Sequence, residues 1–137
     1  MIDKLIHDDK IEIFFQPIIS IKNKNIFAYE ALTRAYDENN DFISPLYLFE
    51  QAKKEGQSNK LDSYVRELAL IKFSDYHKDN NEVLLFINFE SSFIDSSEYD
   101  TFLLMVEKYN INSSNIVLEI KEDEIKNNDS IKRFVDL

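Results

Sequence analysis

Three residues could do chemistry together: Glu30, Asn88 and Glu119. Each stands near the C-terminal end of a short run rich in β-branched and aromatic residues. Two carboxylates and one amide oxygen form a hard donor set, suited to Mg²⁺ or Mn²⁺ rather than to a soft metal. On neighbouring parallel strands they would converge at the C-terminal edge of a sheet, where barrel enzymes build their sites. The residue types alone leave a second reading open, and it is the commoner one. Polar side chains often end strands simply as caps and turns. The other candidates are weaker. His7 and His77 stand alone in polar segments and read as surface residues. Asp37-Glu38-Asn39-Asn40-Asp41 is acidic but lacks the central Gly and closing Glu of an EF-hand, so it reads as a solvated loop. Glu122-Asp123-Glu124 reads as a solvated strand-to-helix connection. With no Cys in the chain, disulfides and thiolate zinc sites are excluded.

The elements that must position these residues follow from periodicity. Residues 2–9 read as a short helix with Leu5 and Ile6 inward. Residues 11–19 and 26–34 read as strands joined through a polar turn at 22–25, a hairpin. Residues 35–43 read as a loop. Ser44 and Pro45 are an N-cap and first-turn pair, with Leu46, Phe49 and Ala52 on the inner face and Gly56 as the stop. A longer helix is expected over 59–76, with Leu61, Tyr64, Val65, Leu68 and Ile71 inward. The apolar run 83–89 predicts a strand buried on both faces. Tyr99, Phe102, Leu103 and Val106 mark a helix, 115–120 another strand, and a last helix starts near Asp129 with Ile131, Phe134 and Val135 inward. Strands alternating with helices predict an α/β fold of parallel βαβ units. Phe and Tyr at helical spacing are core, not platforms for stacking bases.

Composition narrows the function. The 137 residues fit one domain, and 44% hydrophobic and 13% aromatic content is enough for a core. A formal net charge of -10 repels phosphate backbones, which argues against a nucleic-acid polymer as partner. No cluster of Lys and Arg suggests an anionic membrane surface. No apolar stretch approaches the ~20 residues that span a bilayer. Residues 1–8 turn acidic too soon for a signal peptide, so a cytoplasmic protein is expected.

Four blocks then resemble a known family. Gln16-Pro17-Ile18, Glu30-Ala31-Leu32-Thr33-Arg34, Asn88 and Leu118-Glu119-Ile120-Lys121-Glu122 are similar, in order and spacing, to the first four motifs of EAL-type cyclic di-GMP phosphodiesterases. The Ser44-Pro45 helix start, Phe49 and Ala52 match as well. The resemblance implies the first half of a modified (β/α)8 TIM-like barrel whose first strand runs antiparallel. Residues 1–137 would be a partial EAL domain, ending before the family's Asp-Asp-Phe-Gly strand. It implies hydrolysis of cyclic di-GMP to pGpG by two Mg²⁺ or Mn²⁺ ions in the complete domain. Glu30, Asn88 and Glu119 would be metal ligands, Arg34 would pair with a ligand phosphate and Gln16 would contact the nucleotide. Glu122 would steady a loop beside the metals. Glu90, where the family usually has Ser, and Lys121, where it usually has Thr, depart from the pattern. With the family's paired Asp and catalytic Lys absent from these residues, the expectation is a chain that is inactive alone, binds metal weakly and forms a homodimer. The alternatives are a degenerate, non-catalytic module that binds a nucleotide or a partner, and a half-barrel used only for oligomerisation.

Overall fold

Strand-forming residues near the start of the chain give a long hairpin. β1 (Ile11–Ser20) pairs antiparallel with β2 (Asn25–Tyr36), from Ile11 opposite Ala35 to Ser20 opposite Asn25. The polar turn between them closes with the Lys24 N–H donating to the Ser20 carbonyl at 2.8 Å, and Lys24 itself adopts φ 54°. The computed structural model describes residues 1–89 and 97–120. The anticipated last helix, Glu90, Lys121 and Glu122 all lie outside the described residues.

β4 (Leu84–Asn88) runs parallel to β2, and β5 (Ile116–Glu119) runs parallel to β4. The sheet order is β1-β2-β4-β5, with β3 (Phe42–Ile43) added to the end of β2. A largely parallel sheet with one antiparallel first strand is the expected topology. The α-helices among the described residues are α1 (Ile2–His7), α2 (Pro45–Lys54), α3 (Ser58–Asp79) and α4 (Ser97–Lys108). They serve one face of the sheet. Ile13, Leu85, Ile87 and Phe89 pack there against Ala69, Leu70 and Phe73 of α3 and Phe102 and Val106 of α4. A second cluster joins Ile2 and Leu5 of α1 to Leu48 and Ala52 of α2, Leu61 of α3, and the strand ends Ile11 and Ala35. None of the helices among the described residues is long and apolar enough to cross a membrane.

Several details depart from the sequence expectation. β2 reaches Tyr36, and the supposed loop 35–43 contains β3. Its tight turn is held by the Asp37 carboxylate, which accepts the N–H groups of Asn39 and Asp41 at 2.8 and 2.9 Å. Leu46 is not a core residue but 72% exposed, whereas Leu48 is fully buried. Pro45 and the Ser44 cap, whose Oγ accepts the Tyr47 N–H at 3.2 Å, set the helix phase so that Leu48 and Ala52, one turn apart, face inward. Ile71 and Leu103 are 42% and 38% exposed; the buried stripes run through Leu61, Arg66, Ala69, Leu70 and Phe73, and through Tyr99, Phe102, Met105 and Val106. β4 is not buried on both faces: Leu85 and Ile87 are covered by helices, while Leu84 and Phe86 on the other side are half-buried. His77 is less exposed than its polar surroundings suggest. Its ring lies 5.7 Å from that of Phe73, and its Nε2 is buried.

Candidate functional site

Strand register decides which side chains share a face. Across a ladder, paired residues point the same way, and along a strand the side chains alternate. Gln16 is opposite Glu30, Glu30 is beside Phe86, and Asn88 is beside Glu119. Asn88 is two residues beyond Phe86, so Gln16, Glu30, Asn88 and Glu119 all project from one face. Arg34, four residues beyond Glu30 on β2, projects from it too. Among the described residues, this is the face that the helices leave open.

The two carboxylates meet. Burial raises the pKa of Glu119 above the ordinary carboxylate value, and a hydrogen bond with Glu30 followed by the charge of Glu30 raises it further. Two acids this close in a half-buried place favour a shared proton unless a cation separates their charges. Together with the Asn88 side chain beside Glu119, they make an all-oxygen donor set that fits Mg²⁺ or Mn²⁺. Among the described residues, three His, Cys, Asp or Glu side chains nowhere gather as a metal group. The constellation here is two carboxylates and an amide.

Arg34 sits apart from the carboxylate pair, higher on the same face. Its Nη1 donates to the Thr33 carbonyl at 2.9 Å, and its guanidinium lies 5.8 Å from the Phe14 ring centroid. A cavity of about 430 Å³ opens at this end of the strands and is lined by Arg34, Asn88 and Glu119. Gln16 and Glu30 do not line it. The sequence reading missed further lining residues on the helices: Asp62 and Arg66 on α3, and Leu46 and Phe49 on α2. A signal for the first two was available, because an Asp and an Arg four residues apart share one helix face. His7 remains a surface residue paired with Asp8 at 3.0 Å.

Comparison with known proteins gives these residues a context. The family model described as the EAL domain matches residues 1–137. A probable cyclic di-GMP phosphodiesterase, PdeB, of Escherichia coli (strain K12) is 28% identical over 120 residues, 87% of this chain but 23% of that protein. The solved structure of the PaMucR phosphodiesterase in complex with c-di-GMP superposes with a TM-score of 0.87 at 16% identity, covering 98% of this chain and 56% of that one. The EAL enzyme Bd1971 in its cGMP-bound form gives 0.79 at 23% identity, over 95% of this chain and 38% of that one. The FimX EAL domain from Pseudomonas aeruginosa bound to c-di-GMP gives 0.74 at 20% identity, over 96% and 52%. The chain thus spans about a quarter of the curated relative and between two-fifths and just over half of these structures.

Proposed function

The chain belongs to the EAL domain family, and on that premise we propose that it carries the first part of a cyclic di-GMP phosphodiesterase site. The observation that supports this most strongly is the meeting of the Glu30 and Glu119 carboxylates on one face of the sheet, with Asn88 beside Glu119. In this reading Glu30, Asn88 and Glu119 hold Mg²⁺ or Mn²⁺. When bound in pairs, such ions supply a hydroxide at neutral pH and neutralise the attacking and leaving oxygens of an in-line displacement. The two carboxylates offset the charge of the cations, which lets the site accept an anionic substrate. Arg34 offers a planar guanidinium to a phosphate of cyclic di-GMP, and the Phe14 ring beneath it limits its orientation. Gln16, next to Glu30 across the β1–β2 ladder, offers an amide to the nucleotide. Glu122 is assigned the loop-steadying role by family resemblance alone.

The 137 residues by themselves are expected to be inactive toward cyclic di-GMP, because the groups of such a site act as a unit and their losses are not additive. Metal-dependent formation of pGpG by the purified chain, abolished in Glu30→Ala, would show this to be wrong. Three oxygen donors leave an octahedral ion about half hydrated, so Mn²⁺ binding should be weaker than micromolar and should vanish when Glu30 and Glu119 are both replaced by Ala. Calorimetry decides the assignment: an affinity unchanged in the double variant sinks it.

A second reading is a non-catalytic nucleotide-binding module, favoured by the cavity that Arg34 lines. Binding of cyclic di-GMP without turnover, lost in Arg34→Ala and kept in Glu30→Ala, would select it. Under either reading two copies of the chain are expected to associate. The open sheet face and the outer edge of β1, an edge strand among the described residues, are surfaces that a second copy can cover. Sedimentation equilibrium showing only monomer at high protein concentration would exclude it.

A further inference from the structure

Arg66 is charged and only 3% exposed. Burying a guanidinium is costly, and an apolar residue of similar volume in its place is often neutral or stabilising. Stability therefore does not account for an arginine here, and its contacts point elsewhere. The Nη2 of Arg66 is 3.4 Å from the Glu98 carboxylate in the first turn of α4. Its guanidinium carbon lies 4.9 Å from the centroid of the Phe89 ring. Phe89 is the residue immediately after Asn88, and its backbone N–H donates to the Glu119 carbonyl at 2.9 Å. One residue thus ties together the strand ends that present Asn88 and Glu119. The rest of the Phe89 ring is boxed in by Tyr99 and Phe102, with centroids at 6.0 and 5.6 Å and edge-on geometry. Arg66 therefore adds a cationic plate to an aromatic box.

We infer that Arg66 is a positioning residue for the oxygen site. Held by Glu98, it fixes the Phe89 ring and so keeps Phe89 hydrogen-bonded to Glu119, which sets the spacing of the Asn88 and Glu119 side chains. It acts on the oxygen site through Phe89, from the helix side of the same cavity. The part of the inference that concerns metal rests on the proposed function, but the backbone clamp does not.

The test separates the two. In metal-free protein, Arg66→Met keeps an unbranched stem as far as the Nε position and removes both charge and plane. Amide hydrogen exchange at Phe89 should then quicken about tenfold, while amides elsewhere in β4 and β5 keep their rates. Equal acceleration everywhere, or none at Phe89, would overturn the inference. Arg66→Lys keeps the charge without the planar fork, so it should recover only part of the Phe89 protection; full recovery would rule out stacking as the device. In wild-type protein that binds Mn²⁺, Arg66→Met should weaken the affinity about tenfold, in the range known for residues that support metal ligands from behind. An unchanged Mn²⁺ affinity would overturn the link to the site. Absence of Mn²⁺ binding in the wild type would count against the proposed function, and the exchange rates at Phe89 would still decide the clamp.

Discussion

The two faces of the sheet are made from alternate residues of the same strands, yet they follow different rules. The helix-facing side is apolar and closed: Ile13, Leu85, Ile87 and Phe89 are each at most 7% exposed. The other side carries Gln16, Glu30, Arg34, Asn88 and Glu119 among half-buried apolar residues, and Phe14 there is 44% exposed. One face is selected for packing. The other accepts repulsion between Glu30 and Glu119 that packing alone would not tolerate. Such a difference between faces of one sheet is what the proposed site requires, since locally unfavourable arrangements gather at working sites.

Leu84 and Leu85 give the sharpest test of that difference, because they are the same residue type on opposite faces of β4. Leu85 is fully buried, so Leu85→Ala should cost about 2–5 kcal/mol through lost transfer energy and a cavity. Leu84 faces the open side and is half-buried. Leu84→Ala should cost less than half as much as Leu85→Ala. Urea denaturation midpoints measure both, and equal losses would mean that the open face is as closely packed as the other.

The next pair is polar. Asn115, 5% exposed in the 3-10 turn just before β5, donates from its amide to the carbonyls of Asn81 and Val83 at 2.6 and 2.9 Å. Asn115→Ala leaves those carbonyls short of a donor and should cost about 1–3 kcal/mol. Asn88 is exposed on the open face. Asn88→Ala should leave the urea midpoint almost unchanged while weakening Mn²⁺ binding. A large stability loss at Asn88 would make it structural and remove it from the site.

A smaller effect, of opposite sign, is expected at Glu119. Its burial and its contact with Glu30 raise the free energy of the ionised pair. In chelator at neutral pH, Glu119→Gln removes the repulsion and keeps the shape, so the melting temperature should rise. With Mn²⁺ the order should reverse, because only the wild type gains from binding. A variant less stable than the wild type in both conditions would mean that the carboxylates are held apart by something other than charge.

Part of this candidate site was legible in the sequence. Asn88 and Glu119 stand at the ends of strong strand signals, and a parallel arrangement brings strand ends together; Glu30 instead lies midway along β2, and from residue types alone all three read more simply as strand-ending caps, so it was the family resemblance that grouped them. The helix faces were harder to read. Leu46, Phe49 and Ala52 repeat every three residues, but such a repeat drifts by about 60° per step around a helix of 3.6 residues per turn. It therefore points to a blurred stripe, and the true inward pair, Leu48 and Ala52, is spaced by four. The run 83–89 looked buried on both sides because apolar composition does not show which neighbour covers each face. Arg66 escaped notice because a charge in a helical stripe reads as the edge of the solvated face; only packing shows it to be buried.

The smallest expected effect lies where neither face's rule applies. β4 meets β2 only from Ala28 onward, so Asn25, Ile26 and Phe27 project with the end of β1 as a two-stranded ribbon past the rest of the sheet. Ile19 is 59% exposed there, and Ile21 in the turn is 92% exposed. An apolar residue that buries almost nothing contributes almost nothing to stability, whatever its hydrophobicity. Ile21→Lys should therefore change unfolding free energy by less than about 0.5 kcal/mol, the range of surface substitutions away from special features. It should also leave Mn²⁺ affinity untouched, since the turn lies at the opposite end of the strands from Asn88 and Glu119. A loss above 1 kcal/mol, far outside that surface range, would show that Ile21 is covered in solution. The cover to test for is a second copy of the chain, by repeating the urea midpoint at several protein concentrations. A midpoint that rises with concentration in the wild type and not in Ile21→Lys would place the ribbon inside an interface, and the comparison would then need a third kind of surface beside the packed face and the open one.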